Sequence, residues 1–465
     1  MHILKTGLIA SALALAGCAA LTRTPYDTPQ VLLPAQFAHA PSSTAQPVTD
    51  AWWQVFDDAR LNAWMDLALE RNPDLAAAGL RVRRAALQAQ LAGHALLPQP
   101  SATASTGASR PLSGSPRNTV ENASASLSVG WELDLFDRLG AQRDAADFEA
   151  QASVQDRQAV ILTLTTTTAS LYWQLAQANE RLESASHSLA YVRRTTELVQ
   201  ARYRSGAVSS LELREARQSL AQQEALWSQY VQARTELRQA LIELFSGAAA
   251  PGGEPLALPS GQLPAVAAGL PAELLGRRPD LRAAELRLRA ALASSDAATA
   301  RYYPTLSLTG SLGGASNALL HLLSNPVVAL GANMTLPFLN VGEMRLNTAI
   351  ARTQYEEAVV NFRKSLYAAL AETEKALSAR TQLQEQLQAQ QRSLQESLEI
   401  TRLYEARYRA GQVPLRAWLD AQERQRAAEL ALSGLQLQQR QNQLTLYKVL
   451  GGGLEPATLP SPSQH

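Results

Sequence analysis

The sequence has one cysteine, few aromatic residues and almost no net charge. A single cysteine among 465 residues excludes an intrachain disulfide framework and any metal site built from several cysteines. Aromatic residues make up only 6% of the chain, which is typical of long helices rather than of a thick aromatic core. With 42 Lys and Arg against 41 Asp and Glu, the chain gives no reason to expect nucleic acid as a partner.

The residue clusters of an enzyme or a metal centre are also lacking. The histidines, at positions 2, 39, 94, 187, 321 and 465, have no metal-ligand spacing. Gly313-Gly314 has no phosphate-loop context, and no nucleophile has a base at a recognisable spacing. The sequence therefore predicts no catalytic residue, no metal and no cofactor.

The one cysteine lies at the end of an N-terminal signal. Lys5 precedes an apolar run that ends in Leu15-Ala16-Gly17-Cys18. This pattern is typical of a bacterial lipoprotein signal, in which a peptidase cleaves before the cysteine and the new terminus is acylated. An ordinary secretory signal with an incidental cysteine is the alternative. We expect residues 1–17 to be the signal, Cys18 to carry lipid, and residues 18–60 to form an extended tether.

Two nearly identical stretches organise the rest of the chain, namely Ala201-Arg202-Tyr203-Arg204-Ser205-Gly206 and Ala406-Arg407-Tyr408-Arg409-Ala410-Gly411. The first follows an apolar seam in steps of four and three, from Leu171 to Tyr203, which is typical of a coiled coil. Residues 142–204 contain neither proline nor glycine, so they predict one helix of roughly 90–100 Å. Each stretch therefore predicts the tip of a helical hairpin, closed by its glycine.

The chain is an internal duplication. Residues 72–75 (Asn-Pro-Asp-Leu) recur as 278–281 (Arg-Pro-Asp-Leu), an offset of 206, and residues 165–247 match 370–452 at an offset of 205. We expect one unit at 61–247 and a second at 271–452, joined by a linker at 248–270 and followed by a tail at 453–465. Each unit begins with a helix, predicted at about 61–95 in the first, and ends with a helical hairpin, at 141–246 and 343–451.

Between the first helix and the long one, the residue pattern changes to the alternation of strands. Four strands of about ten residues are predicted, at about 99–109, 120–133, 303–313 and 326–338, in two hairpins. They are almost free of charge: no Asp, Glu, Lys or Arg occurs between Arg301 and Glu343. Uncharged strands of this length suit a lipid-facing barrel wall. Four strands cannot close such a barrel, so we expect further copies of the chain to complete it and favour a trimer.

Taken together, several motifs resemble the TolC-like outer-membrane efflux channel family, and most closely its lipoprotein branch. The motifs are Trp52-Trp53 with Phe56, Asn72-Pro73-Asp74-Leu75, Trp131 to Phe136, Leu336 to Leu339, and the two Arg-Tyr tips. The resemblance implies a membrane β-barrel of twelve strands above a coiled-coil tunnel of twelve helices, formed by a homotrimer of two-repeat chains. It also implies a periplasmic adaptor protein, an inner-membrane pump and outer-membrane lipid as partners.

For the tips, the resemblance implies a constricted periplasmic end that opens when the adaptor docks. The tip residues that we expect there are Arg202, Tyr203, Gly206, Arg407, Tyr408 and Gly411, although the arginines and tyrosines could simply complete the turns. Glu215 and Asp420 each follow a tip glycine by nine residues and are candidates for a lumenal gate, with a solvated helix face as the alternative. A closely spaced pair of tip aspartates is missing.

The predicted function is passive export of small molecules across the outer membrane, as the last component of a tripartite efflux system. The protein would be lipid-anchored in the outer membrane and extend into the periplasm. Two alternatives remain open at this point. One is a type I secretion duct for polypeptides, which shares the architecture. The other is a periplasmic coiled-coil scaffold lipoprotein without a pore, which the uncharged strands argue against.

Overall fold

The computed structural model describes residues 22–40, 51–113, 119–261, 263–267, 269–316 and 326–452. The expected signal peptide, Cys18 and the tail at 453–465 lie outside the described residues. The chain divides into two compact units. The first comprises Met1–Val31, Leu80–Gln155 and Arg282–Ser365; the second comprises Leu32–Gly79, Asp156–Leu281 and Leu366–His465. Within the described ranges, no helix has the length and apolarity needed to cross a bilayer.

The same order of elements occurs in each half of the chain. The first half contains α1 (Ala59–Arg71), α2 (Pro73–His94), β1 (Gln99–Ser109), β2 (Val120–Leu133), α3 (Arg138–Arg204) and α4 (Ser210–Leu244). The second contains α5 (Leu274–Arg277), α6 (Pro279–Ala300), β3 (Thr305–Ser316), β4 (Val327–Thr335), α7 (Val341–Arg409) and α8 (Leu415–Val449). Short 3-10 turns lie at Trp52–Phe56, Pro271–Glu273 and Pro337–Leu339.

The single helix expected at 61–95 is wrong, because the structure breaks it between α1 and α2. Asn72 is extended, with φ −67° and ψ 126°, as the residue before a proline prefers. Its side-chain Oδ1 accepts hydrogen bonds from the backbone N–H groups of Asp74 (3.0 Å) and Leu75 (3.1 Å). Asn72 is therefore the N-cap of a new helix whose first residue is Pro73.

The last predicted strand is also too long. It was expected to reach residue 338, but β4 ends at Thr335 and Pro337 begins a 3-10 turn. Proline has no N–H to donate to the strand ladder, which accounts for the early end. The third strand begins and ends later than predicted. It was expected at 303–313 but runs from Thr305 to Ser316, after Pro304.

In the first unit the strands form one antiparallel sheet in the order β1-β2-β3-β4. The two predicted hairpins are joined by pairing of β2 with β3, in a register that places Leu127 opposite Leu312. The sequence pattern predicted the hairpins but not this central pairing, which joins residues far apart in the chain. Strands β1 and β4 are the edges of the described sheet.

Part of the expected tether is held in place within the first unit. The Arg23 guanidinium pairs with the carboxylates of Asp137 and Asp144. The backbone N–H and the hydroxyl of Thr24 both donate to the carboxylate of Asp296, at 3.0 and 2.7 Å. Residues 22–40 lack regular secondary structure, but charge-assisted contacts at Arg23 and Thr24 hold the start of this stretch in place.

The core of the second unit is rich in aromatic side chains. Trp52 is 1% exposed and stacks on Tyr447, with ring centroids 4.8 Å apart. Phe56 meets Trp173 edge to face at 5.0 Å. The Trp52-Trp53 motif therefore packs onto the body of the second unit. Such ring pairs add about 0.5–1.5 kcal/mol beyond the apolar area that they bury.

The end of α4 meets the junction between α1 and α2 in this same unit. The Asn72 side-chain amide donates to the carbonyl of Leu244 at 3.2 Å, and the Ser246 hydroxyl donates to the carbonyl of Arg71 at 3.0 Å. These bonds satisfy carbonyl groups that the ends of the helices leave unpaired. The C-terminal end of α4 is therefore hydrogen-bonded to the N-cap residue of α2.

Candidate functional site

The turns of the two helical hairpins have the same hydrogen-bond pattern. Gly206, with φ 75°, terminates helix α3 in the α3–α4 turn, and the N–H of Ala207 donates to the carbonyl of Arg202 at 2.8 Å. Gly411, with φ 71°, occupies the equivalent place, and the N–H of Gln412 donates to the carbonyl of Arg407 at 2.9 Å. This is a Schellman-type helix end, which requires a left-handed residue and therefore favours glycine.

The helices after the two turns begin in different ways. The Ser209 hydroxyl accepts a hydrogen bond from the backbone N–H of Glu212 at 3.3 Å, and the Ser-x-x-Glu spacing is that of a capping box. In the second hairpin Pro414 is extended, with ψ 155°, and precedes Leu415 as the N-cap. Its carbonyl accepts from the N–H of Ala417 at 3.1 Å.

Close to the turns, one hydrophobic core is shared by both hairpins. We call this group the tip core; it consists of Val199, Leu213, Ala216, Tyr408, Leu415 and Trp418. The rings of Tyr408 and Trp418 are stacked, with centroids 5.2 Å apart and planes at 26°. Tyr191 meets Trp418 edge to face at 6.2 Å. The tip core therefore fixes the two turns relative to each other within the second unit.

The two tip tyrosines have different environments although their sequence motifs match. Tyr408 is 7% exposed in the tip core, whereas Tyr203 is 42% exposed. Burial raises the pKa of the Tyr408 hydroxyl above its usual value. The Arg202 guanidinium lies 5.9 Å from the centre of the Tyr408 ring and donates a long hydrogen bond of 3.5 Å to its hydroxyl. The apolar seam therefore ends at Val199, and its predicted last member, Tyr203, is outside it.

The gate candidates lie one position before small core residues. Glu215 precedes Ala216, Asp420 precedes Ala421, and both acidic residues are partly exposed to solvent in the single chain. Asp420 accepts a salt bridge from Arg416 one helical turn earlier, at 2.8 Å. An exposed pair of this kind stabilises a helix by only a few tenths of a kcal/mol.

Sequence reasoning missed a pair of equivalent threonine contacts between helices. The Thr196 hydroxyl donates to the carbonyl of Ala216 at 3.2 Å, and the Thr401 hydroxyl donates to the carbonyl of Ala421 at 3.1 Å. Each bond joins the ascending and descending helices of one hairpin. The offset of 205 relates the two bonds, and that offset was the signal that could have found them.

A second candidate surface is the four-stranded sheet of the first unit. Strand register places apolar side chains from neighbouring strands on one face and small polar side chains on the other. The apolar face is exposed and includes Leu127, Val129, Leu308, Leu312, Val328, Leu330 and Met334. On the opposite face, Ser101, Thr103 and Ser105 form hydroxyl–hydroxyl bonds of 2.8–2.9 Å with serines of β2.

Neither surface resembles a metal centre. Among the residues that the structure describes, no group of three or more His, Cys, Asp or Glu side chains could hold a metal ion. Both surfaces are made of packing side chains, ion pairs and hydroxyl groups, and they can build a wall or an interface.

Comparison with known proteins identifies the family. A model described as outer membrane efflux protein matches residues 64–248 and again residues 270–452. The pyoverdine export outer membrane protein OpmQ of Pseudomonas putida is 33% identical over 96% of this chain and 97% of its own length. The toluene efflux pump outer membrane protein TtgC of Pseudomonas putida is 31% identical over 96% of this chain and 95% of its own length.

A solved structure agrees with the sequence relatives. The open-state structure of the MtrE outer membrane channel of Neisseria gonorrhoeae superposes with a TM-score of 0.81 and 30% identity, covering 94% of this chain and 99% of MtrE. The family model covers well over half of the chain, and the structural match extends over nearly all of it. This chain belongs to the outer membrane efflux protein family.

Proposed function

We propose that this protein is the outer-membrane channel of a tripartite efflux system and passively exports small molecules. The observation that carries the proposal is the two-faced sheet: an exposed apolar face on one side and hydroxyl side chains on the other. An apolar face of this kind is stable in contact with lipid, while the hydroxyl face suits a water-filled lumen. This surface also disfavours a pore-free periplasmic scaffold.

Three copies form the complete channel in this proposal. The backbone groups on the outer edges of β1 and β4 would each cost several kcal/mol if left unpaired in lipid. Pairing β4 of one copy with β1 of the next removes both edges, and three copies of a four-stranded sheet give a barrel of about twelve strands with an open lumen. Each copy consists of two repeats and supplies two helical hairpins. The hairpins of the three copies would then form the helical tunnel in the periplasm.

The N-terminal lipid and the tips complete the assignment. Cys18 carries the covalent lipid that anchors the chain in the outer membrane. The tips contact a periplasmic adaptor protein, which delivers cargo from an inner-membrane pump. Within the tips, Gly206, Gly411 and Tyr408 hold the turns and the core, whereas Tyr203 and Arg407 are exposed and available for that contact.

Glu215 and Asp420 are the proposed gate side chains of the closed tip. The double variant Glu215→Ala/Asp420→Ala should raise the resting conductance of the isolated trimer, because it removes the carboxylates that help to close the tip. Arg416→Ala is the matched control, since it breaks the ion pair of Asp420 but retains both carboxylates. Unchanged conductance in the double variant would contradict the gating role and indicate that the two residues belong to an ordinary solvated helix face.

The cargo class follows from the relatives and from the chemistry of the wall. One relative exports pyoverdine and another exports toluene, so similar chains conduct small molecules of very different polarity. This favours small-molecule efflux over a duct for polypeptides. The serine and threonine face has no charge and no aromatic ring in β1, which suits passage without selection.

The proposal is tested by single-channel conductance of the purified full-length protein in a planar bilayer, with and without candidate adaptors. A small conductance that rises with one adaptor is the expected result. Heat-sensitive mobility of the detergent-extracted protein should report the trimer in the same preparation. A verified trimer that conducts in neither the wild type nor the tip double variant would refute the channel.

A further inference from the structure

The second unit contains a polar cavity that the channel function does not require. It has a volume of about 560 Å³ and lies between α7, α8 and linker residues 259–261 and 263. Six of its fourteen described lining residues are glutamines and two are arginines, Arg380 and Arg440. No Asp or Glu is among those lining residues. A cavity of this size lies within the range that small organic ligands occupy.

Both arginines present charge that no neighbouring carboxylate neutralises directly. Arg440 is only 6% exposed; its guanidinium donates to the backbone carbonyls of Pro259 and Gln436. The NH1 atom of Arg380 is buried and has no hydrogen-bond partner within the part of the chain that is described. Neither guanidinium forms an ion pair with a described residue.

Buried guanidinium groups without a counter-charge are costly, because charges removed from water are normally paired. Burial lowers the pKa of Arg440 from its usual value, and only the more distant Glu180 acts in the opposite direction. A bound anion would supply the missing counter-charge and accept charge-assisted hydrogen bonds from the guanidinium groups.

The remaining walls can hydrogen-bond a polar ligand. Gln443 and Asn442 donate to the carbonyls of Pro264 and Ala376, at 2.9 and 3.1 Å, and thereby fix the linker and α7 against α8. Gln384, Gln388, Gln391 and Gln439 also line the cavity, with amide groups that both donate and accept. Such amides match the hydroxyl or amide groups of a polar organic molecule.

We propose that this cavity is a binding site for a small polar organic anion, whose carboxylate or phosphate group lies between Arg380 and Arg440. The glutamine amides would contact the neutral polar groups of the same molecule. This proposal is independent of channel activity, because the cavity is built from residues of a single chain.

The test uses full-length protein in detergent and three sugars of similar size, measured by isothermal titration calorimetry at low salt. Glucuronate presents a carboxylate, glucose 6-phosphate presents a phosphate, and glucose presents neither. At least one anionic sugar should bind at least tenfold more tightly than glucose. The comparison of the two anions distinguishes a carboxylate source from a phosphate source.

Two variants assign the binding to the cavity. Arg380→Gln should weaken anion binding at least tenfold, equivalent to about 1.4 kcal/mol. The same substitution at Arg392, which is exposed on the same helix and is not in the lining, should change the affinity less than twofold. Gln388→Glu should abolish anion binding and raise the melting temperature of the ligand-free protein, because it adds a carboxylate to the lining that also contains both arginines.

Three kinds of result would overturn the proposal. The first is failure of the anions to bind more tightly than glucose, either because glucose binds as tightly as both anions or because neither anion binds. The second is an equal loss of affinity in Arg380→Gln and Arg392→Gln, which would indicate diffuse electrostatic attraction. The third is unchanged anion binding in Gln388→Glu, which decides the matter even if Arg380→Gln fails to fold.

Discussion

Substitution of a single strand residue by arginine tests which face of the sheet contacts lipid. Leu330 lies near the middle of β4 and is 86% exposed on the apolar face, opposite Gly310 in β3. Ala329, the residue before it, is directed to the opposite face, opposite Ser311. Leu330→Arg and Ala329→Arg therefore place the same charged side chain on the two faces at nearly the same depth.

The expected magnitudes differ strongly between the two variants. An arginine on the lipid face of a barrel costs about 2–4 kcal/mol near the bilayer midplane, or about 6–12 kcal/mol for three copies of Leu330→Arg. An arginine on the lumenal face remains in water and costs far less. Ala329→Arg should therefore insert normally and lower the conductance for cations, because it adds positive charge to the lumen.

The assay is the yield of heat-sensitive trimer extracted from outer-membrane fractions, with Leu330→Ala as the control for loss of the leucine side chain. We expect a large loss of trimer for Leu330→Arg, a small loss for Leu330→Ala and a near-normal yield for Ala329→Arg. A normal trimer yield for Leu330→Arg, or an equal loss for both arginine variants, would refute the assignment of the two faces.

Three further predictions concern the anchor, the tip core and the linker. Cys18→Ser should abolish incorporation of radioactive palmitate, and continued labelling would contradict lipidation. Tyr408→Ala should lower the free energy of unfolding by about 3–5 kcal/mol, whereas Tyr203→Ala should change it by less than about 1 kcal/mol; equal losses in denaturant titrations would contradict the tip core. Burial alone would raise the pKa of Glu254, but hydrogen bonds from Arg238 and other donors outweigh it and hold the pKa below its usual value. Glu254→Gln should therefore destabilise the protein at neutral pH. In thermal melts its difference from wild type should shrink as the pH falls below the ordinary glutamate pKa of about 4.3, and it should be lost once the pH passes the lower folded-state pKa; a constant difference would contradict this role.

Features specified by local sequence were predictable. The tip glycines have the left-handed φ that a helix end requires, and the capping serine Ser209 is followed by Glu212 at the spacing of a capping box. The change from helical to alternating periodicity marked the strands, because a sheet with one apolar face enforces a period of two. The effect of proline on helix boundaries was predicted less well. Pro73 was expected inside a helix, but it is the first residue of one.

Features that depend on contacts between distant residues were not predictable from the sequence. The pairing of β2 with β3 and the contact of Tyr191 with Trp418 join residues more than 170 positions apart. The polar cavity was missed for a related reason. Its glutamines come from two helices and read separately as solvated helix faces, so only the folded chain brings them together with Arg440.

The tip core explains why two matching sequence motifs produce different surfaces. By the repeat offset of 205, Leu213 occupies in the first hairpin the place of Trp418 in the second. One core serves both hairpins, and close packing leaves room for the stacked rings from the second hairpin against aliphatic side chains from the first. Tyr203 is therefore left on the surface while Tyr408 is enclosed. Duplication supplied two nearly identical tips, and their packing against each other buried one tyrosine and left the other exposed.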